Sequence, residues 1–575
     1  MRRPPPVRRK LINALPNLIP FVVLFSHVLL APYTKVEESF TLHAVHDVLV
    51  YGLNSESYAH WDHVTFPGAV PRSFIPPTLL GLATLPFSTL GVAVGVIRTK
   101  LQVQILIRLV LAGIHAHCFN HLVKTVRTRY GPSVRNWFLV ISMSQFHIPF
   151  YAGRTLPNFM ILPGVLLSFS WLLRSSSNSA PPRVTAWRRH LSIFLLTFLA
   201  TNARLELAAF VIPLVLTLVL LRKVNLAAAV SFGALGGFGA VLVAGPIDHQ
   251  LWSRALPHVS LPQFTSWWQF AWPELASLQY NLFQGQASNW GIMPVHYYFT
   301  NSLPKLLMSA LPLAVFGLGW AAADRLGMLG SGNSKLNGGK GVGKAVWEIW
   351  CLFGPAMAGL LGAMSAVGHK EWRFVVYVVP IFNLIAALTA ASLYALPSHI
   401  DDDWLGPLMR LGLVGMIMIN LLATGFLTFL SMHNYPGGSA WTILEQAEAA
   451  QSHRNVSVHF HSYPLQTGAS LFTFLHSPTP LSHWPRQAMP KPLEPTWRYF
   501  KSEDPGLKTP GGAYDAGFEY VVTDDVESFT TVPQGGHGHL WEVVRSLDGL
   551  EGVRRGGKWG LEVVWGSRAA VLRRS

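Results

Sequence analysis

Apolar blocks recur along this chain, each about 17 to 25 residues long, the length a membrane-crossing helix needs. Short clusters of Lys and Arg separate them. Only helices and closed barrels satisfy their own backbone inside a bilayer, so blocks of this length predict an all-α polytopic membrane protein. The charge content agrees. Of 575 residues only 13% are charged and 50% are apolar, whereas soluble chains carry about a quarter charged residues. The net charge of +16 raises the question of nucleic acid. Here the basic residues lie between apolar blocks, as the positive-inside pattern requires, and no basic-and-aromatic platform accompanies them. No nucleic-acid partner is expected; the lipid bilayer is.

The first block follows MRRPPPVRRK and lacks a small-residue cleavage site. It is expected to remain as a first span with its basic end in the cytosol. Alternation of side from there gives roughly eleven spans. Residues 1–432 form the transmembrane region, with lumenal loops at 32–97 and 246–304, and residues 433–575 form a small lumenal C-terminal domain. The proline-broken run 76–97 is expected to lie along the far face or re-enter, because counting it as a span would put the basic stretch KTVRTRYGPSVR on the wrong side. A sequon, Asn455-Val456-Ser457, is compatible with a lumenal tail. Cys118 and Cys351 lie inside apolar blocks and read as packing residues.

All mixed acid-and-base clusters fall on that same far face. The first loop holds Glu37-Glu38 and Asp62, and His369-Lys370-Glu371-Trp372-Arg373-Phe374 opens a late apolar run. Ionisable groups at a membrane boundary mark a site or an interfacial anchor. Moving a sugar from a lipid phosphate to a hydroxyl needs a carboxylate base and cations for the leaving phosphate. Glu37 and Glu38 are the candidate carboxylates; Arg72, Arg154, Lys370 and Arg373 are the candidate cations. The alternatives are a solvated loop for the acids and snorkelling anchors for the bases. Two other patterns are set aside. GGKGVGKA at 338–345 has phosphate-loop spacing without the following Ser/Thr. The pairs His43/His46 and His60/His63 have no further ligands to complete a metal site. A transporter would bury its charges near the midplane between internal repeats, and no repeated half is visible.

Seven stretches occur in one order: KVEESF (35–40), HDVL (46–49), WDHVTFPGAVPRSF (61–74), GRTLPN (153–158), SNWGIMPVHYYF (288–299), HKEWRF (369–374) and NYPGG (434–438). Together they resemble the dolichyl-phosphate-mannose-dependent mannosyltransferases of the GT-C superfamily. The likeness is greatest to the endoplasmic-reticulum branch that adds the eighth mannose, α-1,6-linked, to the dolichol-linked N-glycan precursor. It implies a GT-C type membrane fold and an inverting transfer from dolichyl-phosphate-mannose to Man7GlcNAc2-PP-dolichol, with a lumenal active site. It further implies Glu37 or Glu38 as the base, Glu37 favoured. His369, Lys370 and Arg373, with Arg72, would hold the donor phosphate. Asp62, Trp290, His296 and Tyr297 would face the acceptor glycan. Neither metal nor cofactor is implied, and the oligomeric state is left open. The competing readings are a sibling α-1,2-mannosyltransferase of the N-glycan or GPI-anchor pathway, and a lipid or glycolipid transporter.

Overall fold

The computed structural model describes residues 6–54, 57–68, 70–175, 181–255, 266–328, 341–395, 404–448, 456–474, 497–531, 540–556, 560 and 562–575. These fold into two compact units. One comprises residues 1–27, 64–76 and 111–426; the other comprises 28–63, 77–110 and 427–575. The second unit is discontinuous, so the C-terminal region shares its core with the first loop.

Among the described residues seven helices are long and apolar enough to cross a membrane. An eighth candidate is a pair, Tyr298–Leu307 and Ala310–Arg325, bent by 107°. Such a bend is tolerated in lipid only if its freed backbone groups find partners. They do: Gln145 donates from Nε2 to the Leu307 carbonyl (2.9 Å), and the Ser309 amide donates to Asn420 Oδ1 (3.2 Å). A shorter apolar helix, Leu15–Leu30, precedes them all, and Leu205–Leu220 and the more polar Pro182–Asn202 fall between them in the chain. The first unit is built around Val379–Ala395, which is buried from Val379 through Ser392. Its polar Asn383 is satisfied by Gln145 and Ser142 at 2.8–3.1 Å.

Two features of the apolar runs need their physical reasons. The basic stretch after residue 123 continues the helix, and Lys100–Ser144 is interrupted only at Gly131 (φ 93°), directly before Pro132. Glycine takes that left-handed conformation without a Cβ clash, and proline then restarts the helix. The run after residue 75 is a continuous helix, Ile75–Ala93, with Pro76 and Pro77 in the first turn, where a missing N–H costs nothing. By length and apolarity it qualifies as a span. Its packing ties it to the first loop. Gly81 lies against Val48 and Val45 of the loop helix Ser39–Val50. Lys100, only seven residues beyond Ala93, is buried with its charge acting on Asp47 of that same loop helix. A helix that left the loop to cross about 30 Å of hydrocarbon has too little chain to be back by then.

The second unit also holds a five-stranded sheet: β1 Val456–Phe460, β2 Trp497–Phe500, β3 Tyr520–Thr523, β4 Trp541–Arg554 and β5 Glu562–Arg574, in the order β2-β1-β3-β5-β4. The β2, β1 and β3 pairings are parallel; β5 is antiparallel to β3 and β4. Alternate residues serve opposite faces. Tyr520, Val522 and Val571 pack with Trp441 and Phe460, while Val521, Ala570 and Leu572 pack with Phe518, Phe529 and Trp541. A sheet covered on both faces needs this apolar density in its central strands. Asn455 of the sequon lies outside the described residues.

Candidate active site

The acid pair sits on a short 3-10 turn, Val36–Glu38, at the start of Ser39–Val50, where the helix dipole favours carboxylates. The two acids have different surroundings. Glu38 is 1% exposed and accepts the Lys35 backbone N–H at Oε1 (3.1 Å), capping its own turn. Glu37 is exposed.

What precedes the turn is tied at almost every polar atom. Arg108 donates to the carbonyls of Ala31 (2.6 Å) and Tyr33 (3.3 Å), and Gln104 donates to that of Pro32 (2.8 Å). Lys35 Nζ donates to the Asn434 carbonyl (2.7 Å) and lies 4.8 Å from the Tyr435 ring centre. The NYPGG stretch explains itself here. A Cβ on Gly437 would stand 1.9 Å from the Pro464 carbonyl oxygen, and one on Gly438 would stand 2.6 Å from the Tyr33 ring. Only bare backbone lets that segment and residues 33–35 approach so closely.

Behind the turn lies a buried polar chain. His43 Nδ1 meets Asp62 Oδ2 at 3.0 Å, Lys501 pairs with Asp62 Oδ1, and the Asp62 amide donates to Asp47 Oδ2 (2.7 Å). His46 Nδ1 meets Asp47 Oδ1 at 3.0 Å. Burial alone would raise the Asp62 carboxyl; Lys501 and His43 outweigh it and hold Asp62 well below the usual carboxylate range. Burial and the neighbouring Asp62 charge push Asp47 upward, and burial pushes both imidazoles down. Asp62, expected to meet the acceptor, thus has both oxygens engaged inside the protein. Lys501 carried no motif that sequence reasoning could place.

In the first unit the HKEWRF residues fold around their own acid. Glu371 Oε1 takes His369 Nε2 (3.0 Å) and Arg373 (2.6 Å). Lys370 turns away, 4% exposed, and donates to the carbonyls of Met293 (2.9 Å) and Val367 (2.6 Å). It pins the 288–299 segment, helped by the Met293 amide donating to the Gly368 carbonyl (3.0 Å). Lys370→Ala is expected to cost about 3 kcal/mol, because it leaves two carbonyls without their donor; thermal unfolding in detergent checks it. Trp372 packs on Tyr151 (4.6 Å) and His147 (5.1 Å). Arg154 stacks on Phe150 (4.4 Å) and lies 5.7 Å from the Tyr151 ring centre. It therefore belongs to this aromatic packing.

Arg72 and Arg373 do come together, in a network with Arg204, Glu206 and Glu274. Trp252 Nε1 donates to the Arg72 carbonyl (3.0 Å), and Asp248 accepts the Phe74 amide (2.7 Å), which sets the Pro71–Phe74 backbone. Burial and the nearby Arg204 charge bring Arg72 down to about 10, still cationic at neutral pH. Arg204 Nε binds Glu206 Oε1 (2.7 Å), which also accepts from Asn158 (2.7 Å). Burial opposes the Arg204 charge; Glu206 and Glu274 outweigh it and raise its pKa. Burial raises Glu274, and Arg204 works against that rise. The Arg204/Glu206 pair lies in a polar break, TNARLE, between two apolar runs of the sequence; Glu274 carries no such signal. Three guanidiniums, Arg72, Arg204 and Arg373, stand among three carboxylates, Glu206, Glu274 and Glu371, and guanidinium N–H donors of this kind suit a phosphate.

Of the acceptor candidates, His296 is exposed and Tyr297 half-buried. The Trp290 side chain lies outside the described residues; its backbone ends the turn Gln286–Trp290. Ile292 and Val295 beside them are more than two-thirds exposed. Among the described residues no group of three or more His, Cys, Asp or Glu is placed to hold a metal ion.

Residues 18–470 match the Alg9-like mannosyltransferase family. The Drosophila melanogaster protein named Dol-P-Man:Man(7)GlcNAc(2)-PP-Dol alpha-1,6-mannosyltransferase is 31% identical over 79% of this chain and 58% of its own length. The match therefore spans less than two-thirds of that relative. The Saccharomyces cerevisiae protein of the same name is 27% identical over 78% of this chain and 76% of its own. Among solved structures, ArnT from Cupriavidus metallidurans bound to undecaprenyl phosphate superposes with a TM-score of 0.53 over 97% of both chains, at 11% identity. That likeness shows an ArnT-like fold.

Proposed function

Because this chain belongs to the Alg9-like mannosyltransferase family, we propose that it transfers mannose from dolichyl-phosphate-mannose to Man7GlcNAc2-PP-dolichol, making an α-1,6 linkage in the N-glycan precursor. The reaction is a single inverting displacement. The acceptor 6-hydroxyl attacks the anomeric carbon of the β-linked mannosyl phosphate as its bond to phosphate oxygen breaks. The proton passes to Glu37, dolichyl phosphate leaves, and the product is α-linked. Arg72, Arg373 and His369, with Arg204, hold the leaving phosphate and supply the positive charge it needs, so no metal is assigned to the reaction. Lys370 and Arg154 keep this cationic region in shape. Trp290, His296 and Tyr297 face the acceptor.

The observation that carries this reading is the contrast inside the acid pair. One carboxylate caps its turn, and its neighbour is exposed on a backbone held rigid by Arg108, Gln104 and Lys35. A base must be pre-positioned and reachable; a transporter has no use for such an arrangement. With Ile75–Ala93 along the face and Lys100–Ser144 divided at Gly131, the apolar helices make about eleven crossings. A cytosolic N-terminus then gives a lumenal C-terminal sheet and a lumenal site in the endoplasmic reticulum.

Purified protein given dolichyl-phosphate-mannose and the heptamannosyl lipid is expected to yield one new α-1,6 mannose by linkage analysis. An α-1,2 product would move the chain to a sibling activity. An unaltered glycan, with lipid carried across vesicles, would make it a transporter.

A further inference from the structure

We propose that Lys501 is a positioning residue for the acid turn, acting through Asp62 and His43 on the loop helix that begins directly after Glu37. The proposal rests on the reading of Glu37 as the base.

Lys501 follows β2 directly and pairs with Asp62, which is 439 residues away in the chain. The two side chains are only 9% and 11% exposed. The second oxygen of Asp62 meets His43. His43 and Asp47 are four residues apart, on one face of Ser39–Val50. Asp47 in turn accepts the Asp62 amide. Lys501 therefore reaches the helix by two routes, one through the carboxylate of Asp62 and one through its backbone. Two further ties join the C-terminal segment to this region, one to the same helix and one to the chain before the acid turn. The Leu471 amide reaches His43 Nε2 (3.5 Å), and Ser470 donates to Gln104 Oε1 (2.8 Å), whose amide nitrogen holds the Pro32 carbonyl.

The charge balance explains why the partner must be a cation. Asp47 and Asp62 are both buried, and a positive group paired with Asp62 keeps that carboxylate charged in a low-dielectric interior and offsets its repulsion of Asp47. Lys100 and Lys501 are the lysines whose charges act on this cluster. Of these, only Lys501 pairs directly with a carboxylate among the described contacts. Without it, Asp62 and Asp47 are pushed apart, and the displacement falls on the helix whose first turn presents Glu37. The C-terminal sheet thereby becomes part of the catalytic apparatus by supplying one rigidly mounted ammonium.

The test uses the full chain in lipid nanodiscs with dolichyl-phosphate-mannose and the heptamannosyl acceptor. Lys501→Met is expected to lower kcat on the order of 10²-fold, the scale of a small misplacement of a reacting group. The donor KM should move by less than about threefold. Asp62→Asn combined with Lys501→Met removes both charges and is expected to recover turnover to within roughly tenfold of the parent. Turnover is normalised to folded protein by thermal unfolding in the same preparations. Lys501→Met turnover per folded molecule within about twofold of the parent, or a double variant no better than Lys501→Met, overturns the proposal. Glu37→Gln is measured alongside. Retained activity there removes the base assignment itself, a different result from retained activity in Lys501→Met.

Discussion

Glu37→Gln is expected to reduce turnover by roughly 10²- to 10⁴-fold, the range for loss of a general base, while donor affinity stays near that of the parent. Glutamine keeps the size of the side chain and its exposure, and it removes only the ability to take the acceptor proton. Glu38→Gln should behave differently. Its carboxylate accepts the Lys35 amide within its own turn, a bond that the neutral amide oxygen can still make. A loss of about 1 kcal/mol of stability is expected, with most of the turnover retained per folded molecule. Single-turnover assays with radiolabelled donor, together with donor binding in the absence of acceptor, separate the two cases. Full activity in Glu37→Gln with none in Glu38→Gln would reverse the assignment within the pair.

The second large effect concerns backbone proximity. Gly437→Ala puts a methyl group 1.9 Å from the Pro464 carbonyl oxygen, and Gly438→Ala puts one against Tyr33 at 2.6 Å. In neither case is the obstacle a flexible chain end, so the backbone must give way. Overpacking of that kind costs roughly 3 kcal/mol or more. Thermal unfolding of both variants should show large downward shifts, with activity falling further because residues 33–35 carry the acid turn. Gly412→Ala is the control: a Cβ there meets nothing within 4 Å, and alanine favours the surrounding helix by up to about 1 kcal/mol. A Gly437→Ala protein as stable as Gly412→Ala would mean that the close approach is absent in solution.

Much of the fold was legible because apolar block length is a property of the chain itself. The helices coincide with the blocks, and the proline-rich run after residue 75 is itself a helix, Ile75–Ala93. The acid pair and the arginine-bearing motifs were also visible, since residue type and spacing survive into the fold. Side-chain direction was not visible. In HKEWRF four ionisable groups stand together in sequence, yet Glu371 takes His369 and Arg373 while Lys370 turns to backbone carbonyls. A flexible ammonium goes where unsatisfied carbonyls are, and those of Met293 and Val367 are set by the tertiary fold. The partners of Asp62 were hidden for the same reason. Its partner Lys501 follows a short strand in a region without recognisable motifs, and no local pattern links residues so far apart. The sheet itself escaped notice because β1, β2 and β3 are only four or five residues long, and the longer β4 and β5 are broken by register shifts that disturb polar alternation.

The strand order carries a consequence for how the molecule is made. β5 runs between β3 and β4, so of the five described strands the one synthesised last is an interior one, and this sheet stays open until it arrives. The first loop, which shares its core with that sheet, is synthesised far earlier. At about 5–20 residues per second it waits roughly half a minute to a minute and a half for its partner. During that interval the acids and histidines that the folded unit buries stand in water, and they are enclosed only once β5 is in place.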